Sequence, residues 1–237
     1  MSTLIPPTTP YNWYQSEISL SVAILDVYVN SVETNIKSSI IEFEENKETV
    51  ITDEQPENNY ARIYEVYEGL NSETFDLTAV FRDYYPALQR RSAFITLYSF
   101  LEHELDKLCV LFKKTNNYNI DFRELKGMGI IRSIKYLELV AILPVESIND
   151  KYSVVRSIQK IRNLIVHNDG KLYDIDGKPK EMELKITKQC EFLSGDDEVI
   201  IMEGYLRFVL NAFADFFKAI DDLIRYNREQ SIYPNKD

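Results

Sequence analysis

Apolar residues return every three to four positions through most of this chain, the spacing that lets a helix bury one face and expose the other. The pattern is sharpest over residues 149–170. Val154, Ile158, Ile161 and Ile165 fall on one side of a helix there and face a core, while Arg156, Lys160, Asn163 and His167 repeat with the same spacing on the opposite side. Arg162 sits on the shoulder between the two stripes. Asn168, Asp169 and Gly170 are helix-stopping residues, Gly and Asn being able to take the left-handed cap, so His167 is expected in the last turn.

Elsewhere the same period predicts a long amphipathic helix over 11–48, with Leu20, Ile24, Val27, Ile36, Ile40 and Phe43 among its buried positions. Residues 58–69 and 75–85 read as two shorter helices parted by Asn71, Ser72 and Glu73, and the spacing of Tyr60, Tyr64 and Tyr67 suits packing. Pro86 fits a helix start, and 87–114 continues as a helix whose apolar residues include Phe94, Leu97, Leu101, Leu105, Leu108 and Phe112. A short helical segment, a turn at Gly127 and Gly129 and a second helix bounded by Pro144 follow over 121–143. Over 171–202 the character changes. Asp176-Gly177 is a turn signal, Met182, Leu184 and Ile186 alternate with polar residues, and Val199 to Met202 is a short apolar run, so a small β-hairpin or two is expected. Residues 203–227 return to helix, with Tyr205, Phe208, Val209, Ala212, Phe213, Phe216 and Ile220 in a broad apolar stripe. The expected fold is all-α, a helical bundle over 86–230 with a small β-hairpin insertion before the last helix. An acidic, helical N-terminal extension occupies 1–85, its first ten residues loosely held, and 231–237 forms a tail.

Composition narrows this picture. A chain of 237 residues, 45% hydrophobic, can bury a sizeable core, and seven Gly and eight Pro fit long uninterrupted helices. The net charge of −11 looks unfavourable for a nucleic-acid binder, but residues 1–89 hold fifteen Asp or Glu against four Lys or Arg and so account for all of it. Within 151–190 nine Lys or Arg oppose five Asp or Glu, the sign that RNA phosphates require. Cys109 and Cys190 supply neither a disulfide framework nor a zinc site, which fits a reducing compartment. No charged-then-apolar leader opens the chain, and the early apolar run at 18–29 is short and contains Asp26, so a cytoplasmic protein with no membrane association is expected. Neither a metal nor a cofactor is expected. Glu102, His103 and Glu104 point about 100° apart around a helix and cannot converge on one ion, nothing fixes the geometry of the acidic run from Glu42 to Glu57, and the run from Leu125 to Ile130 lacks the features of a phosphate loop.

The run Arg162-Asn163-Leu164-Ile165-Val166-His167 resembles the signature of HEPN domains, in which an Arg, a polar residue and a His four to six positions after the Arg close a helix of an α-helical bundle. The resemblance covers about residues 86–226. It implies a metal-independent endoribonuclease, a toxin or antiviral defence effector, whose homodimer brings two such motifs into one cleft. His167 is then general acid or base, Arg162 clamps the phosphate, and Asn163, sharing a face with His167, holds the imidazole or the RNA. Arg156, Lys160 and Lys171 are expected to follow the RNA backbone, and Glu102 to orient Arg162. Arg162 lies about 140° from His167 around an ideal helix, so their convergence needs a long reach, a distorted last turn or an arginine from the second copy. An antitoxin or other regulatory protein is an expected partner. In one subfamily the antitoxin modifies a tyrosine two residues after the His; here that position is Asp169. The alternative is a non-catalytic HEPN-like helical dimer, a regulatory, RNA-binding or partner-binding module, which accommodates the acidic N-terminal part more readily.

Overall fold

Helices dominate the computed structural model, which describes residues 7–55 and 60–232. Segments 1–6, 56–59 and 233–237 lie outside the described residues, and with them most of the loose terminus, part of the acidic run and most of the tail. In chain order the elements are α1 (Ser19–Asn46), β1 (Glu48–Gln55), β2 (Tyr60–Tyr67), β3 (Leu70–Asn71), α2 (Tyr85–Asn116), α3 (Ile130–Leu139), α4 (Asn149–Asn168), α5 (Glu181–Gln189), β4 (Leu193–Ser194), β5 (Ile200–Ile201) and α6 (Tyr205–Ile232). The expected mainly helical architecture is present, with two small sheets. No helix among the described residues is long and apolar enough to cross a membrane.

Helix α2 is the central element. Its stripe of Phe94, Leu97, Leu101, Leu105, Leu108 and Phe112 is buried throughout, and α1, α3, α4 and α6 all pack on it. Across from it α6 contributes Tyr205, Val209, Phe213, Phe216 and Ile220. One core joins these helices to Trp13, Ile18 and Val29 from the N-terminal part. Pro86 does stand in the first turn of α2, but the chain is already helical from Leu77 and passes through a π-helical segment, Ala79–Tyr84. A proline has no N–H to donate and its ring displaces the carbonyl four residues back; the wider π turn absorbs both effects and lets the helix continue.

Several sequence expectations are corrected. Helix α1 begins at Ser19 after a π-helical turn, Tyr14–Ile18, and buries a narrow line through Val29, Ile36 and Phe43. Leu20, Ile24 and Val27, expected inside, are 63%, 70% and 68% exposed. At 100° per residue Leu20 and Val27 lie about 160–180° round the helix from Ile36, so with Val29, Ile36 and Phe43 turned to the bundle this stripe faces outward. The helix expected over 58–69 is a strand: β2 pairs antiparallel with β1, Ile51 opposite Ile63 and Val50 opposite Tyr64. Its aromatic and β-branched residues satisfy strand preference as well as they satisfy helical spacing. Glu68 and Gly69, both at positive φ, then turn the chain into β3. The alternation at Met182, Leu184 and Ile186 is not a strand either. It lies in α5, whose strong helix formers carry Glu181 and Glu183 in the first turn and Lys188 in the last, as the helix dipole favours. The expected hairpin before the last helix is present in minimal form as β4 and β5.

Candidate functional site

Helix α4 runs as expected, from Asn149 to Asn168, with Ile158, Ile161 and Ile165 buried. Val155 and Leu164 complete the buried side, whereas Val154, expected there, is 38% exposed. Asp169, at φ 49°, takes the left-handed cap, Gly170 follows at φ 77°, and the Gly170 N–H closes the end by donating to the Leu164 carbonyl at 3.1 Å. His167 therefore stands in the last turn.

Against α2, α4 is antiparallel. Arg91, early in α2, meets Asp169 just past the end of α4, while Tyr98 and Glu102 further along α2 meet Arg162. The Arg162 guanidinium lies over the Tyr98 ring, 5.1 Å from its centroid. Its Nη1 donates to Asn163 Oδ1 at 3.0 Å, and its Nη2 is 3.7 Å from Glu102 Oε2. Arg162 Nε is buried without a hydrogen-bond partner among the described residues. Tyr98 is fully buried, and burial pushes its hydroxyl well above the ordinary tyrosine range. The residues placed in the site by sequence thus divide into two groups. Arg162, Asn163 and Glu102 come together in the seam between α2 and α4. The His167 side chain is exposed and makes no hydrogen bond or ion pair among the described residues, so within one chain Arg162 and His167 are not joined.

Burial raises the pKa of Glu102; Arg162 opposes this and Asp106 adds to it. A carboxyl whose folded pKa lies above its unfolded one opposes folding when ionised: the penalty is absent below the ordinary carboxylate range and present above the raised value. Glu102→Gln is therefore expected to gain stability relative to wild type as pH rises across that window, read as urea midpoints on either side of it. A constant difference between the two proteins at both pH values would refute this account.

The remaining candidates are cations. Arg156 lies against the Tyr152 hydroxyl, Lys160 is half-buried and Lys171 is exposed. None of the three has a carboxylate within ion-pair distance among the described residues, nor do Lys178, Lys180, Lys185 and Lys188. Elsewhere cations are more often paired, as Lys37, Lys47, Arg90, Lys107 and Arg207 are. The neighbours of Glu102 diverge as their helical positions require. His103 is exposed, while Glu104 is buried and accepts from Trp13 Nε1 at 3.3 Å.

Sequence reasoning missed Arg91. Its side chain is 12% exposed; Nη1 donates to Asp169 Oδ1 at 3.2 Å, and Nη2 donates to the carbonyls of Asp169 and Val199 at 3.4 and 3.3 Å. It fastens the end of α4 to the segment before β5, where Val199 N–H also donates to the Gly170 carbonyl at 2.9 Å. No local pattern announces a contact across this separation. A Cβ on Gly170 would stand 2.4 Å from Arg91 Nη2, at a backbone angle that L side chains rarely adopt. Gly170→Ala is expected to destabilise by about 1–3 kcal/mol, measured by chemical denaturation; a change within error would mean that the clamp yields freely. Tyr98 and Gln159, both buried beside Arg162 and Glu102, were also missed, because their spacing reads as ordinary core. No protein-family model, no curated protein and no solved structure matches this chain, and the reading of its function rests on the residues described above.

Proposed function

We propose that this chain is a metal-independent endoribonuclease of HEPN type, acting as a homodimer in the cytoplasm as a toxin or antiviral defence effector held in check by an antitoxin or regulatory partner. The observation that carries this reading is that, Arg162 apart, the Lys and Arg of residues 156–188 have no carboxylate partner among the described residues, with a free imidazole in the last turn of α4. Lys and Arg without carboxylate partners suit a polyanion, and a solvent-facing histidine with no competing partner suits proton transfer. Val166 is exposed beside His167, giving the end of α4 an apolar residue with which to meet a second copy.

In the proposed reaction a base takes the 2′-hydroxyl proton, the 2′-oxygen attacks phosphorus, and the 5′-oxygen leaves with a proton from an acid. The products are a 2′,3′-cyclic phosphate and a 5′-hydroxyl. One histidine serves as acid or base at a time, so two copies of His167 in one cleft supply both. Arg162 would stabilise the charge developing on the phosphorane. In the single chain it is held by Tyr98, Glu102 and Asn163, so dimer formation or RNA must draw it out, or it acts across the dimer. That same engagement favours the second reading, a non-catalytic helical module in which Arg162 is a structural cation of the α2–α4 seam.

The experiment is to induce wild type and His167→Ala in cells and to sequence RNA ends that carry a 5′-hydroxyl while following growth. New ends and growth arrest that disappear with the substitution support the ribonuclease. Ends and arrest that persist in His167→Ala exclude His167 from the chemistry and favour the binding module.

A further inference from the structure

On α4 and α6, the residues that helical spacing assigns to the core are buried except for Val154, Phe208 and Ala212. These exceptions share one place. Val154 and Phe208, together with Phe192 from the segment before β4, line both of two adjoining cavities of about 370 and 560 Å³, and Ala212 lines the larger. Here the apolar faces of two helices extend beyond the side chains available to cover them. Both volumes fall within the range of about 300–1,000 Å³ typical of small-molecule sites, which are mostly apolar with a few placed polar groups.

The smaller cavity is lined by Ile158, Ile186, Leu193 and Tyr205, with Ser157, Gln189 and Glu191 as polar members, whereas Lys151 lines the larger cavity alone. The aromatic wall is set by backbone geometry. Phe192 and Phe208 lie with ring centroids 6.0 Å apart, and a Cβ on Gly204 would stand 2.7 Å from the Phe192 ring, so glycine there lets the ring rest against the backbone. The larger cavity adds charge at its mouth: Lys151 and Arg207 against Asp215. Arg207 is engaged by Asp26 and Asn30 on α1. Lys151 has its sequence neighbour Asp150 at 3.4 Å, and both side chains are exposed, an arrangement that contributes little and is easily exchanged.

We infer that this groove is a binding site for an amphiphilic carboxylate, its apolar body against Val154, Phe192 and Phe208 and its carboxylate at Lys151. An inorganic anion would leave the apolar walls unused. An uncharged lipid would leave Lys151 unused. The site lies toward the start of α4, away from His167 at its end, and does not depend on the ribonuclease reading.

The test is titration of the full-length ¹⁵N-labelled protein with decanoate, below its micellar concentration, followed by amide chemical shifts, with decanol as the uncharged control. Saturable shifts centred on residues 151–158, 189–193 and 204–215 are expected. Val154→Trp, a substitution at a partly exposed position that fills the groove, is expected to weaken decanoate binding by about tenfold or more while leaving the circular dichroism spectrum unchanged. Lys151→Glu is expected to weaken decanoate about tenfold and decanol little. Shifts that do not saturate, that lie elsewhere, or that survive Val154→Trp would overturn the site. Equal binding of decanoate and decanol would overturn the ligand class. Shifts of the groove residues with protein concentration alone would make the groove a self-association surface instead.

Discussion

Purified protein carrying His167→Ala is expected to cleave RNA about 10²–10⁴-fold more slowly than wild type, the usual worth of a positioned acid or base. If the site is built from two chains, the substitution removes acid and base together and the upper part of that range applies. The assay follows a defined RNA oligonucleotide and identifies the product ends, since 2′,3′-cyclic phosphate with 5′-hydroxyl separates this chemistry from a contaminating nuclease that leaves other ends. Arg162→Ala belongs to the same experiment and is expected to lose about 10²–10³-fold, the cost of removing one group that stabilises developing charge. Arg162→Lys should restore little. Lysine has neither the flat guanidinium that lies on Tyr98 nor the fork that grips a phosphate through two donors. Cleavage that is indifferent to His167→Ala would leave the proposed reaction without its proton carrier and the binding module as the better account.

Trp13→Ala is expected to lower the unfolding free energy by about 3–5 kcal/mol. Trp13 is fully buried, stands edge-on to Phe217 at 5.4 Å, and donates from its indole to Glu104. Truncation opens a cavity between α2 and α6 and removes the donor from a buried carboxylate, and both effects act in the same direction. It is also the one tryptophan in the sequence, so wild-type fluorescence reports on this corner alone. In wild type, loss of the buried indole signal in urea should coincide with loss of helical circular dichroism, because Trp13 belongs to the same core as α2 and α6. Separate transitions would show that the N-terminal segment docks on the bundle without being part of its cooperative core.

The long helices were legible because each carries many apolar residues at one period and few breakers. The stripe of α2 from Phe94 to Phe112 was read correctly residue by residue. What escaped was phase and partnership. Leu20, Ile24 and Val27 have the spacing of a buried face, but Leu20 and Val27 lie about 160–180° round the helix from Ile36, and the bundle lies on the side of Val29, Ile36 and Phe43. The short elements failed for another reason: over eight residues in β2, or three alternating ones in α5, tyrosine and leucine satisfy either period. At the candidate site the sequence identified the polar stripe of α4, of which His167 is exposed and Arg156, Lys160 and Asn163 are half-buried, and the approach of Glu102 to Arg162. It could not supply Arg91 and Tyr98, since each acts on α4 across more than sixty positions of chain.

Among the described residues the ribbon of β1 and β2 is tied to the bundle by an aromatic cluster, in which Tyr67 stands edge-on to Phe43 and Phe81 at 5.2 and 4.8 Å, and by the ion pair of Lys47 with Glu65. Beyond these anchors its strands pack chiefly on each other, with Ile51 and Ile63 exposed side by side. Substitutions along the ribbon therefore meet almost no constraint from the helices, while those at Phe43, Tyr67 or Phe81 meet a strict one. In descendants of this sequence the ribbon is the part free to change length and surface rapidly, so that two proteins with the same bundle would differ most in what this arm presents.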